Sequence, residues 1–365
     1  MLKVYGVTYD HPTNYGTGFQ AFALQTAVEK IKVGTEKEPC QYSLIPVKIL
    51  KEFPHPKSSL KYVANRMIRH FHRKQFLPFE KKHMKFVPIT SFTQLDSLND
   101  EADAFVCGSD VIWRPDYSWN LGVFYLDFAK KYKFSYAASF GTTDISEDAY
   151  PEIRSRLSSF NCISVREKSA LEILKHCTEK LVRVIADPVL LLDRNEWDSY
   201  ALPAASKKKY FFVYVTHLNS TIENFVRKVE AETGLKPVYS AWGSSKALRL
   251  GRFQVQKPEC WLQLIRDAEY VVTNSFHATL FSIIFHKRFF TVVKGEKSQG
   301  NNVRMYDFLK RVGLESRMYS AVPESIDQSE VDYTQADTVV AEMREEAFAF
   351  LQENLDAAYE EKKKR

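Results

Sequence analysis

The chain has 365 residues, of which 45% are hydrophobic and 26% charged, with a formal net charge of +6. These values fit a folded protein of two ordinary domains and exclude disorder, collagen and coiled coil. The charge is unevenly spread: between Lys48 and Lys85 eleven Lys or Arg face only Glu52 and Glu80, a local +9 that leaves −3 for the rest.

In the first half, short β-branched and aromatic runs alternate with helical stretches, the pattern of a parallel sheet covered by helices. Strands are predicted at Val4 to Thr8, Gln41 to Ile45, Ala104 to Gly108, Phe134 to Ala138, Cys162 to Val165 and Val182 to Ala186. Helices are predicted at Phe19 to Ile31, Leu60 to Phe76, Ser146 to Phe160 and Glu167 to His176. In the second of these, Leu60, Ala64, Met67, Ile68 and Phe71 form an apolar stripe flanked by Lys61, Arg66, Arg69 and Arg73. Such a basic amphipathic helix suits anionic lipid or phosphate, or simply a solvated face.

After Asp187-Pro188 the alternation pauses from Asp193 to Lys209, as an interdomain connection would. It resumes with strand Tyr210 to Val215, helix Thr221 to Thr233, strand Pro237 to Ser240, helix Pro258 to Asp267, strand Tyr270 to Thr273, helix Phe276 to Phe285 and strand Phe289 to Val293. The predicted fold class is therefore α/β, with two Rossmann-like domains (1–193 and 209–330) facing a cleft. A final helix within 335–365 is expected to pack back on the first domain. Ligands in such sheets bind outside the carboxyl ends of the strands.

The 17 uncharged residues from Tyr270 to His286 include Thr273, Asn274, Ser275, His277 and Thr279, too short and too polar a run to span a bilayer. The N-terminus has no long apolar stretch with a small-residue cleavage site, so a cytoplasmic protein is expected. Five cysteines without a C-x-x-C pair indicate neither a disulfide framework nor a zinc site.

Four strand ends carry candidate chemistry. After the first strand, Asn14, Tyr15, Gly16 and Gln20 lie at a helix mouth, where they suit an anion, sugar hydroxyls or a plain turn. Gly16-x-Gly18-x-x-Ala21 has the form of a dinucleotide fingerprint, but the loop before it is long and Ile45-Pro46-Val47 lacks the acid that would hold a ribose. Ser109, Asp110 and Trp113 suit a sugar-binding wall with a carboxylate base, although Asp110 equally suits a helix cap. Arg166 can grip a carboxylate or phosphate. From Asn274 to His277 an apolar strand breaks into a polar turn and a helix, placing Ser275 and His277 where unpaired N–H groups favour an anion. Lys297 and Arg304 supply further cations.

Tyr270 to Phe290, taken with Asn14-Tyr15-Gly16, Gly108 to Trp113, Ser164-Val165-Arg166-Glu167, Asp187-Pro188 and Arg304 to Leu314, resembles the polysaccharide pyruvyl transferase family in order and spacing over roughly residues 1–315. The resemblance implies a GT-B-like fold and transfer of pyruvate from phosphoenolpyruvate to a sugar as a cyclic ketal on a glycan precursor. It implies a phosphoenolpyruvate site on the second domain using Arg166, His277 and Lys297, and an acceptor site on the first. The chain departs from many members at Ser275, where they carry Arg, and at Ala278, where close-looking relatives carry Gly.

On this reading His277 is an acid or phosphate ligand. Arg166, Lys297, Asn274, Ser275 and Arg304 bind the donor. Asp110 is catalytic, and Asn14, Tyr15, Gly16, Gln20, Ser109 and Trp113 contact the acceptor. No metal and no cofactor beyond the donor substrate is expected, because no carboxylate or His cluster has ligand spacing. A lipid-linked acceptor would bring the Lys48–Lys85 segment to the inner face of a membrane. The alternatives are a GT-B glycosyltransferase using a nucleotide sugar and a non-catalytic sugar or phosphosugar binder. A lone basic helix without a reader motif argues against nucleic acid.

Overall fold

The computed structural model describes residues 1–9, 14–47, 73–116, 121–204, 208–241, 255–296 and 302–365. In the first domain β1 (Leu2–Val7), β2 (Lys32–Val33), β3 (Glu38–Leu44), β4 (Ala104–Cys107) and β5 (Tyr132–Ser135) form a sheet in the order β2-β3-β1-β4-β5. Only the β2–β3 pairing is antiparallel. Parallel bridges Phe134–Cys162 and Ala138–Val165 extend this sheet through β6 (Ile163–Val165) to β7 (Val182–Val184).

The second domain is a parallel sheet in the order β12-β11-β10-β8-β9. It is made of β8 (Tyr210–Val215), β9 (Lys236–Ala241), β10 (Tyr270–Thr273), β11 (Arg288–Val292) and β12 (Met318–Tyr319). Its central strands are continuous apolar runs, as helices on both faces require: Phe211 to Val215 and Tyr270 to Thr273 are buried throughout.

In each sheet the chain leaves one central strand in one direction and its neighbour in the other, between β1 and β4 and between β8 and β10. Crevices open at such switch points. The segments leaving β1, β4 and β10 carry Asn14 to Gly18, Gly108 to Trp113 and Asn274 to His277.

The first helix, Tyr15–Lys30, starts four residues before the expected Phe19, because the Asn14 side chain accepts the Gly16 N–H at 3.1 Å. Gly16 and Gly18 thus lie in its first turn rather than in a loop. Of the predicted Leu60 to Phe76 helix, residues 60–72 lie outside the described residues, and a helix occupies 73–83. The expected connection Asp193 to Lys209 contains a helix, Arg194–Tyr200, begun by a capping box between Asp193 and Glu196.

The domains share one apolar core. Phe19 meets Trp197, Trp261 and Phe281 at ring-centroid separations of 5.4, 5.7 and 5.4 Å, and Trp197 lies 4.9 Å from Phe281. Each such pair contributes roughly 0.5–1.5 kcal/mol beyond its buried area, so this junction is a packed joint. The last helix, Thr334–Lys363, straps it from outside. Near its start Asp337 meets His286 of the second domain at 2.8 Å. Further along, Arg344 donates to Leu190 O, Asn354 accepts from Tyr132, and Lys362 pairs with Asp103 of the first domain. Among the described residues no helix is long and apolar enough to cross a membrane.

Candidate active site

A cavity of about 340 Å³ opens where the two domains meet. Its walls are the ends of β6 and β7 (Arg166, Glu167, Asp187), the helices Phe276–Ile284 and Val303–Arg311 (Phe276, Arg304), and Met343 of the last helix. Five cations line it, Arg166, Lys168, Arg304, Lys310 and Arg311, against Glu167, Asp187 and Asp307. Its charge suits an anion, and its size lies at the small end for a small-molecule site.

Arg166 is held by its strand. Its N–H donates to Ala138 O at 3.0 Å, extending the β5–β6 ladder, and its guanidinium is buried. Nη1 donates to Asp187 Oδ2 at 2.7 Å. Nη2 lies 3.8 Å from Asp110 Oδ1 and Nε 3.7 Å from Glu167 Oε2, so neither makes a hydrogen bond within the protein. Glu167 is anchored through its other oxygen by Ser139 Oγ and the Phe140 and Gly141 N–H groups. Two buried donors of a fixed guanidinium thus make no hydrogen bond and are balanced only by carboxylates 3.8 and 3.7 Å away.

The Phe276 ring carries two guanidiniums, Arg166 at 4.8 Å and Arg304 at 5.5 Å from its centroid. Among the described residues half-buried Arg304 makes no hydrogen bond or ion pair. Burial and then the charge of Arg166 lower its proton affinity. Two arginines brought onto one ring, the second without an ion pair of its own, favour an anion between them.

His277 lies in the first turn of its helix, with Nε2 3.4 Å from Asp187 Oδ2. Burial raises the Asp187 carboxyl, but His277 and then Arg166 outweigh it and hold this acid well below the usual carboxylate range. Asp110 stands opposite. Burial raises it too, while Arg166, His277 and Arg304 together bring it below the ordinary range. Its Oδ2 accepts the Thr17 hydroxyl at 2.8 Å and its Oδ1 the Val111 N–H at 2.9 Å. It is delivered by an unusual backbone: Asp110 has φ +74°, and Gly108 has φ +130° with space only for hydrogen, because a Cβ there would lie 1.9 Å from Tyr136 O.

The structure thus gathers Arg166, His277, Asp110 and Arg304, with Asn14 and Gly16 beside them at the start of the first helix. Several predicted ligands are occupied elsewhere. Asn274 accepts from the Thr216 N–H and donates to His217 O, tying β10 to β8. Ser275 caps its helix by accepting the Ala278 N–H. Tyr15 is buried against Trp261, its hydroxyl bonded to Gln256 N and O, so it does not face a sugar. Gln20 and Ser109 are consumed in one buried network with Thr8 and Ala137. Trp113 is fully buried, stacked on Tyr125 at 5.0 Å, and is a core residue rather than a sugar platform. Lys297 lies outside the described residues. Sequence reasoning assigned no site role to Asp187, Phe276 or Thr17; Asp187 stood at a strand end and within the Asp187-Pro188 segment of the family resemblance, the signals that could have found it.

The sequence profile described as polysaccharide pyruvyl transferase matches residues 14–293, a span that runs from Asn14 past His277. The chain belongs to the polysaccharide pyruvyl transferase family. A search of curated proteins gives no match. Among solved structures, a Listeria monocytogenes protein assigned as a UDP-N-acetylglucosamine 2-epimerase is similar at 10% identity and a TM-score of 0.50, over 97% of this chain and 89% of that one. Similar too are a UDP-N-acetylglucosamine 2-epimerase from Rickettsia bellii (12% identity, TM-score 0.47, 99% and 96% covered) and ADP-heptose LPS heptosyltransferase II from E. coli (10%, 0.39, 96% and 99%). The two sheets described above, with the Listeria protein's likeness along nearly the whole chain, give this family member a GT-B-type arrangement of two α/β domains.

Proposed function

We propose that this family member transfers pyruvate from phosphoenolpyruvate to two hydroxyls of a sugar in a glycan precursor, forming a cyclic ketal and releasing phosphate. The observation that carries this reading is the pair of guanidiniums on Phe276, both lining the cavity, one with two donors that make no hydrogen bond and the other without an ion pair among the described residues, next to His277. Phosphoenolpyruvate presents a carboxylate and a phosphate, two anionic groups for two arginines. His277, when protonated, donates to the methylene carbon, generating an oxocarbenium at C2. The first sugar hydroxyl adds there and loses its proton. Departure of phosphate regenerates the cation for the second hydroxyl.

Asp110, kept ionised by its cations, orients the attacking hydroxyl. A weak base suffices, since a hydroxyl adding to a cation becomes strongly acidic. Lys297 is proposed as a further donor ligand, and Asn14 and Gly16 as the border of the acceptor. A lipid-linked acceptor is proposed because the Lys48–Lys85 segment concentrates positive charge beside an exposed Leu77, a combination that favours an anionic membrane face. The test is phosphate release from phosphoenolpyruvate with a panel of lipid-linked and nitrophenyl sugars. His277→Ala should lower turnover about 10²-fold or more. Protection of the chain against heat by a nucleotide sugar and not by phosphoenolpyruvate would replace this reading with glycosyl transfer.

A further inference from the structure

One carboxylate oxygen serves both domains. Asp187 Oδ2 accepts from Arg166 Nη1 at 2.7 Å within the first domain and lies 3.4 Å from His277 Nε2 of the second. The other oxygen, Oδ1, accepts the Val189 N–H at 3.0 Å, capping the short turn Pro188–Leu191 and fixing the carboxylate plane. The side chain is 1% exposed, so water does not share its lone pairs.

No other group described around His277 can take this place. Gly16 covers the Nδ1 edge of the ring with a bare Cα. Asp110 is engaged by Thr17 and Val111. His277 Nε2 is buried without a hydrogen bond in the protein, and the Asp187 carboxylate at 3.4 Å is the acceptor it faces.

We infer that Asp187 is a positioning residue, which aims the Nε2 edge of His277 while anchoring Arg166 with the same oxygen. The inference concerns proton delivery and rests on the pyruvyl transfer reading only for its kinetic half. Its consequence separates rate from affinity. An acid bonded to Arg166 repels an anionic donor, so removing its charge leaves the donor at least as well attracted while the histidine loses its orientation.

Asp187→Asn keeps the volume and the cap on Val189; Asp187→Ser keeps the cap alone. Both are expected to lose about 10²-fold in kcat, with the dissociation constant for phosphoenolpyruvate, measured by calorimetry, no more than about threefold weaker and a melting temperature that falls, as the loss of a buried charge partner requires, in a chain that still folds. Turnover within about fivefold of the parent would overturn the inference. So would joint collapse of turnover, donor affinity and melting temperature, or failure of both variants to fold, because Asp187 would then be structural. A second readout needs no donor: in the ¹⁵N-labelled full chain the His277 Nε2 resonance, assigned by its loss in His277→Gln, should move in Asp187→Asn. An unmoved resonance overturns the inference even if phosphoenolpyruvate is the donor. A moved resonance, in a chain that releases no phosphate from phosphoenolpyruvate, upholds it and removes the proposed reaction instead.

Discussion

Gly16 and His277 touch so closely that a Cβ built on Gly16 would lie 2.2 Å from the Cγ and Nδ1 of the imidazole. The first helix of one domain thus forms the back wall for the histidine of the other. A glycine inside a helix is normally a weakness relative to alanine, worth up to about 1 kcal/mol in a helix interior and less in the first turn, where Gly16 lies.

At Gly16 the gain is outweighed by the clash. Gly16→Ala must displace the imidazole from its present seat, because the contact includes His277 Cβ at 2.4 Å and cannot be relieved by a side-chain tip alone. Turnover should fall at least about tenfold, since a small misplacement of a reacting group is costly. Phosphate-release kinetics check this, and unchanged kinetics would remove the wall from the mechanism.

The two arginines should behave oppositely. Arg166→Ala strips Asp187 and Asp110 of a buried counter-charge and should destabilise the fold by about 3 kcal/mol while abolishing donor binding. Arg304→Ala removes a cation that repels Arg166. Its unliganded stability should be unchanged or higher, with phosphoenolpyruvate binding weakened by about 2 kcal/mol. Urea denaturation and calorimetry on both variants test the contrast.

The depressed carboxyls predict an acid dependence of stability. An unfolded Asp titrates near pH ~3.9, whereas Asp110 and Asp187 bind their protons lower in the folded state. Their contribution is therefore complete above about pH 5 and is lost as the pH falls toward the folded values. Asp110→Asn should melt below the parent at pH 7, with the difference shrinking toward pH 3. A gap that widened on acidification would contradict the sign.

For the membrane proposal, the described helix 73–83 exposes Arg73, Lys74, Leu77, Lys81 and Lys82. Each basic side chain close to an anionic bilayer is worth about 1 kcal/mol. Replacing the four cations by Gln should strip the chain from phosphatidylserine vesicles in flotation at low salt and leave turnover on a short soluble sugar intact. A parent chain that does not float ends the proposal.

Much of this architecture was legible in advance because it follows from local pattern. The apolar run Tyr210 to Val215 and the periodic stretch Pro258 to Asp267 are what they look like. Arg166, His277 and Asp110 come close together in the structure because strand ends in an α/β sheet face the crevice. The pattern failed where one residue type serves two purposes. Asn274 and Ser275 read as ligands because a polar turn looks the same whether its side chains face a substrate or its own backbone. Tyr15 and Trp113 stood beside polar loop residues but fill the core. The role of Asp187 depends on a histidine ninety residues away in another domain, a proximity that no local spacing encodes.

The aromatic joint of Phe19, Trp197, Trp261 and Phe281 makes the protein its own optical reporter. Trp197 and Trp261 are both wholly buried there, one on the connecting helix and one in the second domain. Neither lobe can melt without wetting an indole of this cluster. Thermal unfolding should therefore give one red shift of emission, coincident with loss of helical circular dichroism, in place of the two separate steps of loosely tethered lobes.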